Sequence, residues 1–156
     1  MMKPSLSAEV LRCLAGKRLA TAESLTGGGI GREITSVPGA SAVYAGGIIS
    51  YTNEVKHKLL GVPEEMLQAF GAVSAPVARA MAEGARAALE ADAAVSVTGL
   101  AGPDADEYGH AVGTVFIGYA DRQTAFAKEY HFDGDRQQVR EKTIEAALTL
   151  VLEQNR

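Results

Sequence analysis

Strand-like runs alternate with helical segments over the first hundred residues, and this alternation constrains the fold more than any other feature of the chain. Residues 5–15 read as a helix, because Leu6, Val10 and Leu14 recur at four-residue spacing and Gly16 can end it. Residues 18–23 form a short strand that breaks at Ser24-Leu-Thr-Gly-Gly-Gly, and a helix from Gly27 or Gly28 to Ile34 follows. A turn at Pro38-Gly39 leads to a second strand, Val43 to Tyr51, whose two glycines imply a bulge or a close backbone approach. Asn53 is a good N-cap for a short helix over Glu54 to Leu60. Pro63 starts another helix, to about Phe70. Ser74 caps a long one, with Pro76 in its first turn and Val77, Met81, Ala85, Ala88 and Leu89 on its apolar face.

Ala94 to Thr98 is a third strand, and a polar loop over 103–111 follows it. Val112 to Tyr119 and Thr124 to Phe132 read as a hairpin joined at Asp121-Arg122. The final helix, after Asp133-Gly134-Asp135, carries a stripe of Ile144, Ala147, Leu148, Val151 and Leu152. The pattern predicts a three-layer α/β fold: a mixed, largely parallel sheet flanked by helices on both faces. There is no internal repeat, linker or low-complexity segment, so residues 1–156 are expected to form a single domain.

Composition narrows the function classes. Glycine supplies 17 of 156 residues, above the typical ~7%, but without the strict repeat of a fibrous chain. The formal net charge of −4 gives no general attraction to nucleic acid or a membrane surface, and no partner of either kind is expected. The one cysteine, Cys13, sits among Val10, Leu11 and Leu14 and reads as a buried, inert thiol. A lone cysteine excludes an internal disulfide and an all-cysteine metal site. No run approaches the ~18 apolar residues that span a bilayer, and the first residues lack a signal-peptide core. A cytoplasmic location is expected.

In open α/β sheets, ligands bind beyond the carboxyl ends of the strands. The residues following the three leading strands are therefore the site candidates: Glu23 to Gly29, then Tyr51, Asn53 and Lys56, then Thr98, Gly99 and Ala101-Gly102-Pro103. Ser24 stands where a strand turns into a glycine-rich helix start, whose free N–H groups suit an oxyanion or a phosphate. A capping role for Ser24 competes with that reading. With Asn53 as N-cap, Lys56 is the third helical residue, where the positive end of the helix dipole disfavours its charge. Partial burial adds to this and makes a general base, although a solvated lysine is the ordinary alternative. Ser24, Lys56 and Tyr51 together can carry out acyl transfer without histidine.

Arg136 and Arg140, one turn apart, can clamp a phosphate or pair with Asp133, Asp135 and Glu141. His57, His110 and His131 have no metal-ligand spacing and read as surface or loop residues. The acidic stretch Asp104, Asp106, Glu107 lacks the rest of a calcium loop and reads as solvated. The common phosphate loops and the Gly-x-Ser-x-Gly elbow are absent.

Residues 21–28, Thr-Ala-Glu-Ser-Leu-Thr-Gly-Gly, resemble the opening motif of the CinA C-terminal domain family. The resemblance continues through Ser50 to Lys56, Gly71 to Ser74, Thr98 to Pro103, Val112 to Val115 and Gly134 to Arg136, over nearly the whole chain. Several members of that family are nicotinamide-nucleotide amidases. The resemblance implies an amidohydrolase that converts nicotinamide mononucleotide, a small pyridine nucleotide, to nicotinic acid mononucleotide and ammonia. The family's serine nucleophile, lysine base and tyrosine match Ser24, Lys56 and Tyr51.

Thr26, Gly27, Gly28, Thr98, Gly99 and Gly102 are then expected around the substrate, with Arg136 and Arg140 at its phosphate. No metal and no redox cofactor is required. One stretch departs from the family: the usual Asp-Gly-Gly and Lys-Pro of the loop after Ala-Gly-Pro are replaced within Asp104 to Gly113. A non-catalytic pyridine-nucleotide-binding or interaction module is the alternative, and an amidase for another small carboxamide a third reading. An edge strand and a long amphipathic helix lead to the expectation of a homo-oligomer.

Overall fold

The computed structural model describes residues 4–156. Five strands, β1 (Leu19–Glu23), β2 (Tyr44–Ile49), β3 (Ala93–Gly99), β4 (Thr114–Asp121) and β5 (Ala125–His131), form one sheet in the order β2-β1-β3-β4-β5. β1 lies parallel to both β2 and β3, while β3–β4 and β4–β5 are antiparallel. Four strands therefore run the same way and only β4 is reversed. The sheet is mixed and mostly parallel, as the alternation of elements predicts.

Six α-helices cover it: α1 (Leu6–Cys13), α2 (Gly29–Thr35), α3 (Asn53–Leu60), α4 (Glu64–Phe70), α5 (Ala75–Ala88) and α6 (Arg136–Asn155). Alternate residues of the central strands serve opposite layers, as the two-residue period of a strand requires. Leu19, Val95 and Val97 pack with Val10, Ile30, Leu148 and Val151 of α1, α2 and α6. Ala20, Ala22 and Ala94 face the other way, onto Leu60, Val77 and Met81 of α3 and α5. Small side chains on that second face let α5 lie close. The Ser96 hydroxyl donates to the Ala78 carbonyl of α5 at 2.5 Å, and a side chain at Gly118 would strike the same carbonyl. Full burial of each large aliphatic residue contributes roughly 1.5–3 kcal/mol, so these two layers carry most of the stability.

Helix starts refine the sequence reading. Thr52, not Asn53, caps α3; its hydroxyl accepts from the Val55 amide, and Asn53 is the first helical residue. Thr52 wins because its extended backbone lets the side chain turn back onto the helix. Ser74 occupies the N-cap of α5 but donates to the Gly71 carbonyl rather than capping. Asp135 and Gln138 form a reciprocal capping box at the start of α6. Between Leu19 and Ala20 of β1 the pairing skips Ala45 of β2. Gly47 there leaves room for the Tyr44 hydroxyl to meet that of Thr21 at 2.7 Å. No helix among the described residues is long and apolar enough to cross a membrane.

Candidate active site

The parallel strands β1, β2 and β3 end at one edge of the sheet, and a cleft of about 450 Å3 opens there. Ser24, Lys56, Thr98, Gly99, Gly102 and Arg136 line it, together with the loop that begins at Pro103. Ser24 directly follows β1, and its amide donates to the Val97 carbonyl of β3. On the other side of β1, the Glu23 carbonyl accepts from the Ser50 amide at 2.7 Å, which fixes the chain leaving β2. Both neighbours of the central strand thus hold the nucleophile candidate in place.

Lys56 enters from the first turn of α3 and is 1% exposed. Its ammonium donates to Ser24 Oγ at 3.0 Å, to the Ser50 carbonyl at 2.6 Å and to the Tyr51 carbonyl at 3.2 Å. Burial pushes its pKa down from 10.5 to about 8. Lys56 is the fourth helical residue rather than the third, and loss of water is the cause that lowers its pKa, the burial that the sequence reading added to the dipole.

The partners also define what the neutral form can do. A neutral amine keeps two N–H donors and gains a lone pair. If the two carbonyls keep the N–H donors, the lone pair faces Ser24 Oγ and can take its proton.

Tyr51 reaches this pair through its backbone, not its ring. The residue is 61% exposed, and its hydroxyl accepts from Arg136 Nη2 at 3.3 Å. Arg136 also donates from Nη1 to the Gly102 carbonyl at 2.7 Å, so the two side chains form a rim over the cleft. Thr98 faces the cleft with its hydroxyl already committed to the Ala72 carbonyl.

The glycine-rich turn has a different role from the one its composition suggests. Glu23, 2% exposed, accepts through Oε1 from the Thr26 hydroxyl at 2.5 Å and the Ile30 amide at 2.9 Å. Its Oε2 accepts from the Gly31 amide at 3.1 Å. The start of α2, expected to be open to an oxyanion or phosphate, is therefore filled by the chain's own carboxylate. Gly28 stands at the N-cap with φ +100°, a left-handed conformation suited to glycine. At Gly29 an added Cβ would lie 2.5 Å from Ile144 Cδ1, so that glycine serves the contact of α2 with α6.

Thr26, Gly27, Gly28 and Arg140 do not line the cleft. Arg140 donates from Nε to the Leu25 carbonyl at 2.9 Å and from Nη2 to the Thr26 carbonyl at 3.4 Å. Of the two arginines expected at a phosphate, only Arg136 lines the cleft.

The stretch expected to be a solvated acidic loop is braced. Asp106 accepts from the Tyr108 and His110 amides and meets His110 Nδ1 at 2.7 Å. Desolvation raises the Asp106 pKa, but the His110 contacts outweigh it and the net shift is downward. The Tyr108 ring lies against Gly71, where a Cβ would clash with it, and its hydroxyl donates to the Gln68 carbonyl at 3.0 Å. His57 and His131 meet separate carboxylates, Glu64 and Glu129, far from this pair in sequence.

Sequence reasoning counted Glu23 among the residues after the first strand but gave its side chain no role, and it missed the Ser50 carbonyl as an acceptor for Lys56. Glu23 leaves one clue, a carboxylate that ends a run of small apolar residues just before a helix. The Ser50 contact leaves none, since every residue has a carbonyl.

The fold and the site together define an α/β domain with a buried serine and lysine in hydrogen-bond contact at the carboxyl edge of its parallel strands. Residues 4–155 match the model of the CinA C-terminal domain, and the chain belongs to that family. A relative from Pseudomonas putida, named nicotinamide-nucleotide amidohydrolase PncC, is 46% identical over 136 residues, which cover 87% of this chain and 85% of that protein. A CinA-like protein of Geobacter sulfurreducens is 50% identical over 133 residues, 85% of this chain but 32% of the relative. The chain thus spans about a third of the length of such longer relatives. Among solved structures, competence damage-inducible protein A of Klebsiella pneumoniae superposes with a TM-score of 0.92 at 36% identity, covering 95% of this chain and 93% of that one. A competence/damage inducible protein of Agrobacterium tumefaciens gives 0.90 at 35% identity, covering 100% and 99%.

Proposed function

We propose that this chain is an amidohydrolase that deamidates nicotinamide mononucleotide to nicotinic acid mononucleotide and ammonia. The observation that carries the reading is the Lys56 amine 3.0 Å from Ser24 Oγ, buried and held by two carbonyls. The activity of the Pseudomonas putida relative, by its name, supports the same substrate.

In the proposed reaction, neutral Lys56 takes the hydroxyl proton while Ser24 Oγ bonds to the carboxamide carbon. The carbonyl oxygen becomes an oxyanion, held by backbone amides of the turn after Ser24. Each such donor is commonly worth ~3 kcal/mol. Collapse breaks the C–N bond, and the leaving nitrogen takes the proton from Lys56 and departs as ammonia. Water then adds to the acyl-enzyme and gives its proton to Lys56. Cleavage of the ester bond returns a proton to Ser24 and frees the acid. Arg136 at the rim, beside the exposed Tyr51 hydroxyl, is the group placed to meet the phosphate.

Ammonia release from nicotinamide mononucleotide tests the reading. Wild type should be active, and Ser24→Ala should lose about 1,000-fold or more, as loss of a nucleophile does in comparable enzymes. A Ser24→Ala variant that keeps most of the rate rules out Ser24 as nucleophile. Binding of the nucleotide without ammonia release would favour a non-catalytic module.

A further inference from the structure

The turn that carries Ser24 is held from the side away from the cleft. Glu23 and Arg140 both grip it there, and neither lines the cleft. The Glu23 carboxylate receives the Thr26 hydroxyl and the Ile30 and Gly31 amides, so one side chain spans the turn from its first residue to the helix beyond it. Arg140 holds the Leu25 and Thr26 carbonyls. In a trans peptide the N–H points opposite to the preceding C=O. Fixing the Leu25 carbonyl on Arg140 therefore aims the Thr26 amide away from Arg140. The Ser24 carbonyl accepts from the Gly27 amide, which in the same way sets the direction of the Leu25 amide. Neither the Leu25 nor the Thr26 amide has a backbone partner among the described residues.

Glu23 is buried and forms no ion pair among the described residues. Burying a carboxylate without a cation is costly unless its oxygens are well bonded. Here three donors satisfy it, and all three belong to the turn or to the helix start behind it. A Ser or Asp at the N-cap would satisfy helix amides locally. Glu23 does so from seven and eight residues upstream, and its bonds fix the span of everything between.

We propose that Glu23 is a positioning residue: its carboxylate sets the turn so that Ser24 Oγ and the Leu25 amide face the reacting carbonyl together, while Glu23 itself touches no substrate. The assignment rests on Ser24 as the nucleophile but not on the identity of the substrate. Glu23→Gln keeps the shape but puts an NH2 group against one of the turn's donors, so the grip loosens without an added void.

The test reads Ser24 reactivity with a fluorophosphonate. In that reaction Ser24 Oγ bonds to phosphorus, fluoride leaves, and the hydroxyl proton passes to Lys56 and on to solvent. Glu23→Gln should slow labelling about 10- to 100-fold, the scale of a misplacement near 1 Å. The midpoint of the labelling pH profile should stay where it is in wild type. For ammonia release, kcat should fall by a similar factor with KM within about threefold. Labelling of Glu23→Gln at the wild-type rate overturns the proposal, and so does a shifted midpoint, which would mean that Glu23 acts through Lys56. If Glu23→Gln does not fold, Thr26→Val decides. It removes only the hydroxyl bonded to Glu23, so slower labelling supports the proposal and an unchanged rate overturns it. Wild type that labels at Ser24 but releases no ammonia from nicotinamide mononucleotide sinks the substrate reading and leaves the Glu23 assignment standing. Wild type that does not label at Ser24 overturns both.

Discussion

Lys56 has three acceptors around one nitrogen, and its protonation decides which of them it serves. Protonated, it donates to all three and Ser24 cannot give up its proton to it. Neutral, it is a base. With a pKa of about 8, about a tenth of the molecules hold the neutral form at pH 7. On the proposed mechanism kcat/KM should therefore rise about tenfold per pH unit below the midpoint and level off above about pH 8. A pH–rate profile of ammonia release checks this. A flat profile between about pH 6 and 9 would remove Lys56 from the base role. Lys56 was legible because a lysine in a first helical turn conflicts with the dipole. Its dominant cause, burial, depends on β1, β2 and α3 meeting, which no local pattern encodes. Tyr51 shows the reverse limit: a residue type suggests a side-chain role, while the chain here supplies a carbonyl to Lys56 and a rim hydroxyl to Arg136.

Lys56 depends in turn on where α3 sits. The Leu60 carbonyl, at the end of α3, lies where a side chain at Gly84 of α5 would go. That crossing sets α3 against α5, one helical turn beyond Lys56. Gly84→Ala should cost about 1–3 kcal/mol of stability, as overpacking does. It should also lower kcat more than that loss explains, by moving the amine off Ser24. Chemical denaturation together with ammonia release at saturating substrate measures both effects, and a variant normal in both would mean that the crossing does not govern the site. The sequence showed α3 and α5 as helices through their caps and apolar spacing. It did not show that they cross at a glycine. Gly99 and Gly102, expected around the substrate, do line the cleft, yet Gly29, Gly47, Gly84 and Gly118 are places where elements press together. Composition cannot separate a glycine that faces a ligand from one that faces a neighbouring helix.

Across the whole molecule, the alternation of elements was enough to foresee helices on both faces and a mixed sheet. The hairpin of β4 and β5 accounted for the one reversed strand. The strand order was not legible, because the pairing of β1 with β3 joins segments separated by four α-helices and an edge strand. Burial of Lys56 has a consequence at this scale too. Unfolded, the amine holds its proton to about pH 10.5; folded, it releases it near 8. Between those values the unfolded chain binds more protons, so stability rises with pH. The penalty is present in full below the folded pKa, on the order of 3 kcal/mol, and is gone above the unfolded one. Wild type should therefore gain on Lys56→Met between about pH 7 and pH 10.5 when both are unfolded with denaturant, and a pH-independent difference would contradict the linkage. The group proposed to drive the chemistry near neutral pH is thus also a proton-linked load on folding that mild alkali relieves.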